Sequence, residues 1–528
     1  MDDGPDLASA TRDYLLPKSP QESYKALGVL SIFIFPSLGG LLFGFDIGAT
    51  SLVVKQLGDG DMSSVSWSDT ADEKIVQSAL TSASVAGAFL GSVIVFPVAD
   101  ALGRRRELMI GAVLYMLGAT LAAVGGFVDA GVGVGLSAVL IGRLIYGVGI
   151  GFSMHGAPSY ISEMAPAGLR GSLVAGKEGM IVLGVLLGNV MGVVLENTEG
   201  GWRYTYLMLA ALAVAMLLGC ARLPPSPRWL ALNGDDEGAA KALRTVFHED
   251  VIEAVTLEII DQVNAMRDGS RGAEEEGFIT QMKRLVMSPR YHPQLICGIG
   301  VVALQQITAQ PSVLYYTASI FDDAGIGSEA NLLTGGFKLV ATICSVVFVE
   351  RMGRKQLLYV GNTIMSVALL AVSFAFINYD KDGGLNAQKI VILTCLLAYI
   401  GGYQVGFGPV AWTLISEVFP LEVRGQAVAL AVQVNFFLNL VVTFLFLIEL
   451  DAIGSTLTFA VFAGILAGSV FFVYKYVPET KGLTLEEIET FFFEKNAHSI
   501  LPPTLPADPF DNETEPLQKE RTSGQRTW

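Results

Sequence analysis

The sequence predicts an all-α membrane protein with twelve transmembrane helices, arranged in two pseudo-symmetric six-helix bundles joined by a cytosolic helical linker. Three observations predict this fold class. Of the 528 residues, 52% are hydrophobic and only 16% are charged, and the mean hydropathy is +0.52; about a quarter of a soluble chain would be charged. Apolar runs long enough to cross the ~30 Å core of a bilayer recur along the chain. The chain also repeats itself near half its length.

The repeat is clearest in YISEMAPAGLRG (Tyr160–Gly171), which returns 254 residues later as LISEVFPLEVRG (Leu414–Gly425) with six identical positions. A second pair, DALGRR (Asp100–Arg105) and ERMGRK (Glu350–Lys355), lies 250 residues apart. Each copy of the first motif ends an apolar run and turns into the next one. Two homologous halves of this kind place a binding site at their interface.

Polar stretches divide the chain into five predicted parts. These are an N-terminal tail at 1–26, a first bundle at 27–223, a linker at 224–292, a second bundle at 293–475 and a C-terminal tail at 476–528. We predict spans 1 to 6 at 27–54, 75–99, 107–128, 133–159, 173–195 and 203–223, and spans 7 to 12 at 293–321, 331–350, 356–378, 389–416, 426–450 and 452–475. The helical periodicity of Leu257–Met266 predicts short amphipathic helices in the linker.

Basic residues indicate the orientation. They concentrate in the linker and in the loops after even-numbered spans, at Arg104–Arg106, Arg170, Arg351, Arg354, Lys355 and Arg424. The positive-inside rule therefore predicts that both termini and the linker are cytosolic. The first 26 residues resemble neither a secretory signal nor an Arg-rich transit peptide.

Several function classes are disfavoured. The four cysteines lie in apolar runs and the four histidines lack ligand spacing, so neither a disulfide framework nor a metal site is indicated. No nucleotide-binding fingerprint is present, which argues against an ATP-driven pump. No residue set suits covalent catalysis. We therefore expect a protein that is not an enzyme, with no cofactor, no metal and no nucleic-acid partner.

Charged residues inside predicted spans mark candidate sites. Asp46 lies within LLFGFDIGATS, where an ionised carboxylate costs on the order of 2.5–3.5 kcal/mol. It needs a partner or a proton, and Arg143 in span 4 is the natural partner. Two interpretations remain open here: a titrating pair that couples a proton, and a permanent ion pair that only fixes packing.

Other polar side chains in the spans also need partners. Gln305 and Gln306 are consecutive amides in span 7, and buried amides require hydrogen bonds. Trp412 follows the Gly408-Pro409 break and offers either an apolar face to a ligand or ordinary packing. Glu178 and Lys338 are ionisable groups in spans 5 and 8, and we expect a charge pair between them across the halves. The alternatives are that Glu178 titrates alone, or that Lys338 pairs with Asp322, Asp323 or Glu329.

The repeated motifs suggest a charge clamp. Each half supplies an acid and basic residues at helix ends on the predicted cytosolic side, namely Glu163, Arg104 and Arg170 in the first half and Glu417, Arg354 and Arg424 in the second. Breaking such bridges would let the halves separate on that side. The alternative is helix-end capping together with the positive-inside bias.

Taken together, the motifs resemble the sugar porter family of the major facilitator superfamily. They are DALGRRR after span 2, GRLIYGVGIG in span 4, PPSPRWL after span 6, QQITAQPSVLYY in span 7 and VPETKG after span 12. The resemblance covers about 27–490, and QPSVLYY is most similar to the plant vacuolar glucose transporter and D-xylose-proton symporter-like group. One departure is Pro225, where the family pattern PESPRWL has Glu.

The resemblance implies two six-helix bundles around a central sugar site. It matches Asp46 and Arg143 to the acid–arginine pair of proton-coupled symporters, places Gln305, Gln306 and Asn435 at the sugar, and gives Tyr315 and Tyr316 the role of an outer gate. Glu178 stands where most members have a sugar-binding Gln. Lys338 stands where the xylose symporter has Asn. Both departures leave the sugar unidentified.

We therefore expect proton-coupled transport of a monosaccharide, hexose or pentose, by alternating access. A facilitative carrier without ion coupling is a second hypothesis, against which Asp46 argues. A transporter-like sugar sensor is a third, although the tail from Gly482 to Trp528 is short for a sensor. The expected partners are the sugar, protons and the lipid bilayer, and the expected driving force is the proton gradient. We expect a functional monomer in a vacuolar or plasma membrane.

Overall fold

The structure, a computed structural model, describes residues 24–127, 131–270, 278–377, 387–420, 422–483 and 487–492. Over these ranges the regular elements are helices, and the only β-pairing is an isolated bridge between Tyr24 and Phe247. The all-α prediction is confirmed. Most of the predicted N-terminal tail and most of the predicted C-terminal tail lie outside the described residues.

The first half contains one helix for each predicted span. Spans 1 to 6 are Ala26–Leu57, Lys74–Leu102, Arg104–Phe127, Gly131–Met164, Ala167–Leu195 and Gly201–Arg222. Most extend past the predicted apolar runs, because polar residues at their ends continue the helix. A short helix, Ser68–Asp72, precedes span 2.

The second half has broken helices. Span 7 consists of a 3₁₀ turn at Pro289–Tyr291 followed by helices His292–Ile307, Gln310–Tyr315 and Thr317–Asp323, while spans 8 and 9 are Ala330–Arg351 and Arg354–Ala375. Span 10 is Ala387–Val405 followed by Phe407–Val418. Span 7 breaks where Ala309 adopts a left-handed φ of 64° before Pro311. Non-helical backbone at membrane depth is tolerated where it is buried in protein or lines a cavity.

Spans 11 and 12 form one assigned helix, Arg424–Tyr476, of 53 residues. Such a helix would be about 80 Å long, more than twice the bilayer core. It is divided at Gly454, whose φ of 78° and ψ of 159° are not helical. Ten helices of the described chain, this one counted once, are long and apolar enough to span a membrane. With this division and with span 8, the structure has the twelve predicted spans.

Glycines let the helices of the first half touch through their backbones. A Cβ added at Gly44 or Gly48 of span 1 would lie 1.8 or 2.1 Å from a carbonyl oxygen of span 5. One added at Gly147 of span 4 would lie 2.0 Å from the carbonyl oxygen of Ser84 in span 2. Small residues permit this close approach. Asp46 lies between the two span 1 glycines, so its position is fixed by this packing.

Four linker helices cover one end of the bundles, at Pro227–Leu232, Asp236–Leu243, Glu249–Ser270 and Phe278–Met287. We call this end, which also carries Arg104 and Arg354, the linker face, and the other end the opposite face. The chain before span 1 is tied to the linker, since the Lys25 amide donates to the Val246 carbonyl at 2.7 Å. The predicted domain limits stay predictions.

The two halves meet at the opposite face. Lys55 Nζ of span 1 lies 3.4 Å from Asp322 Oδ1 of span 7. Asn189 Nδ2 of span 5 donates to the carbonyl of Asn331 in span 8 at 3.0 Å. In addition, the Ser328 hydroxyl donates to the Glu196 carboxylate. These contacts close the opposite face.

Towards the linker face, we infer an open cavity between the halves from the exposure of two residues of span 5. The side chain of Glu178 lies well inside span 5 and is still 55% exposed. It lies near Lys338 of the second half, which places it on the side of span 5 towards that half. Gly179, its neighbour, has nothing within 4 Å of an added Cβ. The structure is therefore open at the linker face and closed at the opposite face.

Candidate functional site

A buried ion pair lies in the first half. Asp46 and Arg143 are each 2% exposed. Arg143 Nη1 donates to Asp46 Oδ1 at 3.1 Å, and Arg143 Nη2 donates to Asp46 Oδ2 at 3.4 Å. The structure therefore brings together the two residues that the sequence paired. Each charge depends on the other, because leaving one buried without its partner costs about 3–5 kcal/mol.

Three hydroxyl groups complete the surroundings of the pair. Arg143 donates to Tyr206 Oη at 2.8 Å, to Thr50 Oγ1 at 3.0 Å and to Ser84 Oγ at 3.1 Å. Ser84 in turn donates to Asp46 Oδ2 at 2.8 Å. The sequence analysis did not find these three residues. Thr50 could have been found, because it lies one helical turn after Asp46 and therefore on the same face.

Buried amides lie between spans 7, 10 and 11. Gln306 Nε2 donates to Asn435 Oδ1 at 2.6 Å, and Gln305 Nε2 donates to the Phe407 carbonyl at 3.1 Å. The Oε1 atoms of both glutamines are buried and accept no well-aligned hydrogen bond from any described residue. Buried acceptors of this kind call for a donor. A polyhydroxylated ligand would supply one, and the sugar-binding role of Gln305, Gln306 and Asn435 stays a prediction.

Trp412 is half-buried at the edge of the core formed by spans 7 to 11. The predicted apolar contact between its ring and a ligand stays a prediction, as does the alternative of simple packing.

Glu178 and Lys338 face the same cavity without touching. Lys338 is 7% exposed. Glu178 instead pairs with its neighbour Lys177, whose Nζ lies 2.9 Å from Glu178 Oε1. The charge of Glu178 acts on Lys338 and on Tyr403, although none of the ion pairs found within the described ranges joins Glu178 to Lys338. The predicted pair is therefore not formed in this state, in which Glu178 pairs with Lys177 instead.

The two predicted gate tyrosines are buried in span 7 near the opposite face. Tyr316 Oη donates to the Thr443 carbonyl at 3.1 Å, and its ring stacks on Phe446 with centroids 5.7 Å apart. Tyr315 lies beside the Asp46–Arg143 pair. Both rings thus belong to the buried packing of span 7, and their role as a gate stays a prediction.

The predicted charge clamp consists of one ion pair inside each half. Arg104 Nε donates to Glu163 Oε1 at 3.2 Å, and Arg354 Nη2 donates to Glu417 Oε1 at 2.8 Å. The other carboxylate oxygen accepts from a residue of a flanking motif, Ser226 in the first half and Thr480, at 2.6 Å, in the second. Both pairs join the start of one span to the end of the next, so they brace each half and do not bridge the halves in this state.

Arg170 and Arg424 lie outside these pairs. Arg424 donates to the Phe419 carbonyl through Nε at 3.2 Å and through Nη2 at 3.1 Å. Arg170 is exposed, and no ion pair of the described chain includes it. Both arginines belong to the helix that follows the turn after the acid. The carboxylates of Glu163 and Glu417 instead face the odd-numbered span before their own. Their partners are therefore Arg104 of span 3 and Arg354 of span 9.

Comparison with known proteins then decides the family. The family model "Sugar (and other) transporter" matches residues 32–492. The chain belongs to this family. The resemblance inferred from the motifs is thereby confirmed over nearly the same range.

Curated relatives of this sugar transporter have similar lengths. It is 39% identical to "D-xylose-proton symporter-like 2" of Arabidopsis thaliana over 488 residues, which cover 89% of this chain and 92% of the relative. It is 31% identical to "Glucose transporter GlcP" of Staphylococcus epidermidis, with 87% and 96% covered.

Solved structures of the xylose transporter XylE from E. coli share the fold of this sugar transporter. The partially occluded inward-open form aligns with a TM-score of 0.72 and 25% identity, covering 87% of this chain and 100% of XylE. The inward-open form aligns with a TM-score of 0.71 and 25% identity, covering 88% and 99%. The twelve-helix, two-bundle prediction is confirmed.

The two halves of this sugar transporter differ at Pro225. The equivalent residue of the second half, 254 positions on, is Glu479. Glu479 accepts hydrogen bonds from the backbone amides of Arg354 at 2.8 Å and Lys355 at 3.1 Å, at the start of span 9. A carboxylate there satisfies unpaired amides and complements the helix dipole. Pro225 can supply no such cap to the start of span 3.

We expect Pro225→Glu to stabilise the protein by about 0.5–2 kcal/mol, the usual value of a helix N-cap. Thermal unfolding in detergent would measure it, with Pro225→Ala as the uncharged control. Glu479→Ala should lose a similar amount. Equal melting temperatures for Pro225→Glu and Pro225→Ala would contradict the assignment.

Proposed function

We propose that this sugar transporter carries a monosaccharide across a membrane together with a proton, by alternating access. The buried Asp46–Arg143 pair is the observation that carries the proposal. It lies in the first half, close to the gate tyrosine Tyr315 of the second half. Gain of a proton by Asp46 would remove one charge of a buried pair and so change the energy of the packing around it.

The shape of the molecule supports alternating access. The opposite face is closed by contacts between the halves, while Glu178 is exposed to a cavity that opens at the linker face. A repeat-built transporter places its substrate near the interface of the halves and rocks them about it. The bracing pairs Arg104–Glu163 and Arg354–Glu417 keep each half rigid during that motion.

The substrate class follows from the amides and from the relatives. Gln305 and Gln306 present acceptor oxygens without donors, as sugar hydroxyls require. Relatives are named as D-xylose and glucose transporters. We therefore propose a hexose or a pentose as the substrate. A proton gradient would drive its transport, and no cofactor would be required.

Purified protein in liposomes would test the proposal. Uptake of labelled D-xylose and D-glucose is measured with and without a pH difference, and then after addition of a protonophore. For one proton per sugar, each pH unit supports about tenfold accumulation, because it is worth about 1.36 kcal/mol. Uptake that stops at equal concentrations would indicate a facilitative carrier. Sugar binding without uptake would indicate a sensor.

We also propose an orientation in which the linker face and both termini are cytosolic, on the basis of the basic residues of that face. The membrane would be vacuolar or plasma, and the monomer would be the functional unit. Single cysteines placed at Asp59 and at Asn233, both in loops, would be labelled from opposite sides of sealed cells or vacuoles. Labelling of both from the same side would contradict the topology.

The Glu178–Lys338 hypothesis gives a further prediction. We expect the two groups to meet when the cavity closes, so Glu178→Lys and Lys338→Glu should each reduce transport by an order of magnitude or more, since each leaves like charges facing one another in the closed state. The double swap should recover part of the loss. A double variant no better than the worse single variant would contradict the pair. Lys283→Glu in the linker is a control for the charge change alone.

A further inference from the structure

The linker helix Phe278–Met287 carries an exposed apolar stripe. In the described part of the linker, the exposed large apolar side chains are Leu232, Leu257, Ile279, Val286 and Met287. Three of these five therefore lie within ten residues. Their positions, i, i+7 and i+8, share one side of an α-helix. We call Ile279, Val286 and Met287 the apolar stripe. Single exposed apolar side chains are normal, whereas contiguous apolar surface marks an interaction site.

The other side of this helix holds it to both halves. Leu285 is fully buried. The Phe278 ring stacks on Phe96 of span 2, with ring centroids 6.5 Å apart and an interplanar angle of 11°. Gln281 accepts a hydrogen bond from Gln426 of span 11. None of these contacts uses the apolar stripe, in which Ile279 remains 81% exposed.

The apolar stripe lies at the membrane boundary. Only Ser288 separates Met287 from the 3₁₀ turn Pro289–Tyr291 with which span 7 begins, and two residues span at most about 7 Å. The membrane spans that this helix contacts or precedes have exposed apolar side chains of their own, namely Val93 in span 2, Phe437 in span 11 and Ile296 in span 7. The stripe therefore continues the apolar surface that these spans present to lipid.

The charge of the helix suits a phospholipid headgroup layer. Its sequence, FITQMKRLVM, contains Lys283 and Arg284 and no acidic residue. An apolar stripe combined with basic residues is typical of helices that lie in the plane of a membrane surface. The linker helix Asp236–Leu243 differs, because its exposed side chains include Asp236, Glu237 and Lys241. The stripe is therefore a property of this helix and not of the whole linker.

We propose that the helix Phe278–Met287 binds phospholipid, with the apolar stripe inserted at the boundary between headgroups and acyl chains of the leaflet at the linker face. Interfacial helices of this kind bury their apolar side to a depth of about 5–10 Å. Neither the sugar nor the proton takes part, so the inference goes beyond the proposed function and does not depend on it. Because the helix contacts Phe96 of the first half and Gln426 of the second, lipid would hold at one depth a segment that touches both halves.

The size of the apolar stripe favours lipid over a protein partner. A stable protein–protein interface buries about 1,200–2,000 Å², far more than three side chains provide. A lipid surface needs no such area from one helix, because the membrane spans already hold the chain in the bilayer. A second copy of the chain or a soluble protein is therefore the less favoured occupant, and the experiment below distinguishes both from lipid.

Fluorescence quenching in lipid nanodiscs would test the proposal on the full chain. Single cysteines at Ile279→Cys and Met287→Cys carry an environment-sensitive fluorophore. Cys344 and Cys395, the two native cysteines that are not fully buried, are changed to alanine. Lys241→Cys is the matched control, because it is exposed on the charged helix Asp236–Leu243. We expect phosphatidylcholine with a doxyl group on its acyl chain to quench positions 279 and 287 at least threefold more than position 241, and aqueous iodide to show the reverse order.

A polar variant completes the test. With the label at position 287, Ile279→Asp combined with Val286→Asp should at least halve the quenching by lipid, because two ionised groups oppose insertion. Both positions are exposed, so the melting temperature should stay close to that of the parent. Unchanged lipid quenching in this variant would overturn the inference, and so would iodide quenching at 279 and 287 equal to that at 241. Protection from both quenchers would also overturn it, in favour of a protein partner. None of these measurements uses sugar transport, so a failure of the proposed function would be seen separately.

Discussion

Asp46→Asn is expected to abolish accumulation against a gradient while sugar exchange continues. Asparagine has nearly the shape of aspartate but cannot gain or lose a proton near neutral pH. With a difference of one pH unit, the accumulation ratio should fall from about tenfold to about one. Uptake into liposomes under an imposed pH difference measures this ratio directly, and counterflow of labelled sugar measures the exchange that remains.

Controls must distinguish a loss of proton coupling from a loss of stability, because Asp46→Asn leaves Arg143 buried without its counter-charge. That loss is worth up to about 3–5 kcal/mol, so thermal unfolding should be followed in parallel. Asp46→Glu keeps the charge and should retain part of the coupling. Asp69→Asn removes an exposed acid near the opposite face and should leave accumulation unchanged. Undiminished accumulation by Asp46→Asn would remove Asp46 from the proton pathway.

Gln306→Ala is expected to weaken sugar binding by roughly 5- to 150-fold. The variant removes an amide that bonds Asn435 at 2.6 Å and whose free oxygen is an acceptor for a sugar hydroxyl. An unpaired buried polar group costs about 1–3 kcal/mol, and every 1.4 kcal/mol changes the dissociation constant tenfold. Tryptophan fluorescence or calorimetric titration with D-xylose and D-glucose measures the change.

A second glutamine provides the control for this loss. Gln77 is also a buried amide, but it bonds Asp72 at 3.0 Å at the far end of span 2. Gln77→Ala should therefore leave the sugar affinity unchanged. If Gln306→Ala binds both sugars as tightly as the wild type, the amide does not belong to the site.

The fold could be predicted from the sequence because apolar runs and repeated motifs depend only on local chemistry. The pairing of Asp46 with Arg143 could also be predicted. Each would be costly alone in a membrane, and few partners are available. The ends of the spans were less predictable, since polar residues such as Lys55 continue a helix beyond the apolar run.

Other features could not be predicted, for physical reasons. A serine or threonine in a helix carries no such cost because it can bond its own backbone, so nothing in the sequence distinguishes Ser84 from Ser82. The partners of Glu163 and Glu417 depend on which spans are neighbours, which the motifs alone do not show. The separation of Glu178 from Lys338 depends on the access state, and one sequence encodes both states.

The contacts that join the halves at the opposite face also set how often that face opens. An exposed ion pair such as Lys55–Asp322 is worth about 0–1 kcal/mol, the Asn189–Asn331 bond about 0.5–1.5 kcal/mol, and the bond to the Glu196 carboxylate about 1.5–3 kcal/mol. Together they favour closure by about 2–5.5 kcal/mol, so from these contacts alone the open form would be on the order of 0.01–3% of molecules. A substrate that binds the open form roughly 30- to 10,000-fold more tightly would make the two populations equal. Such a weak latch suits a carrier that must return to this state in every cycle.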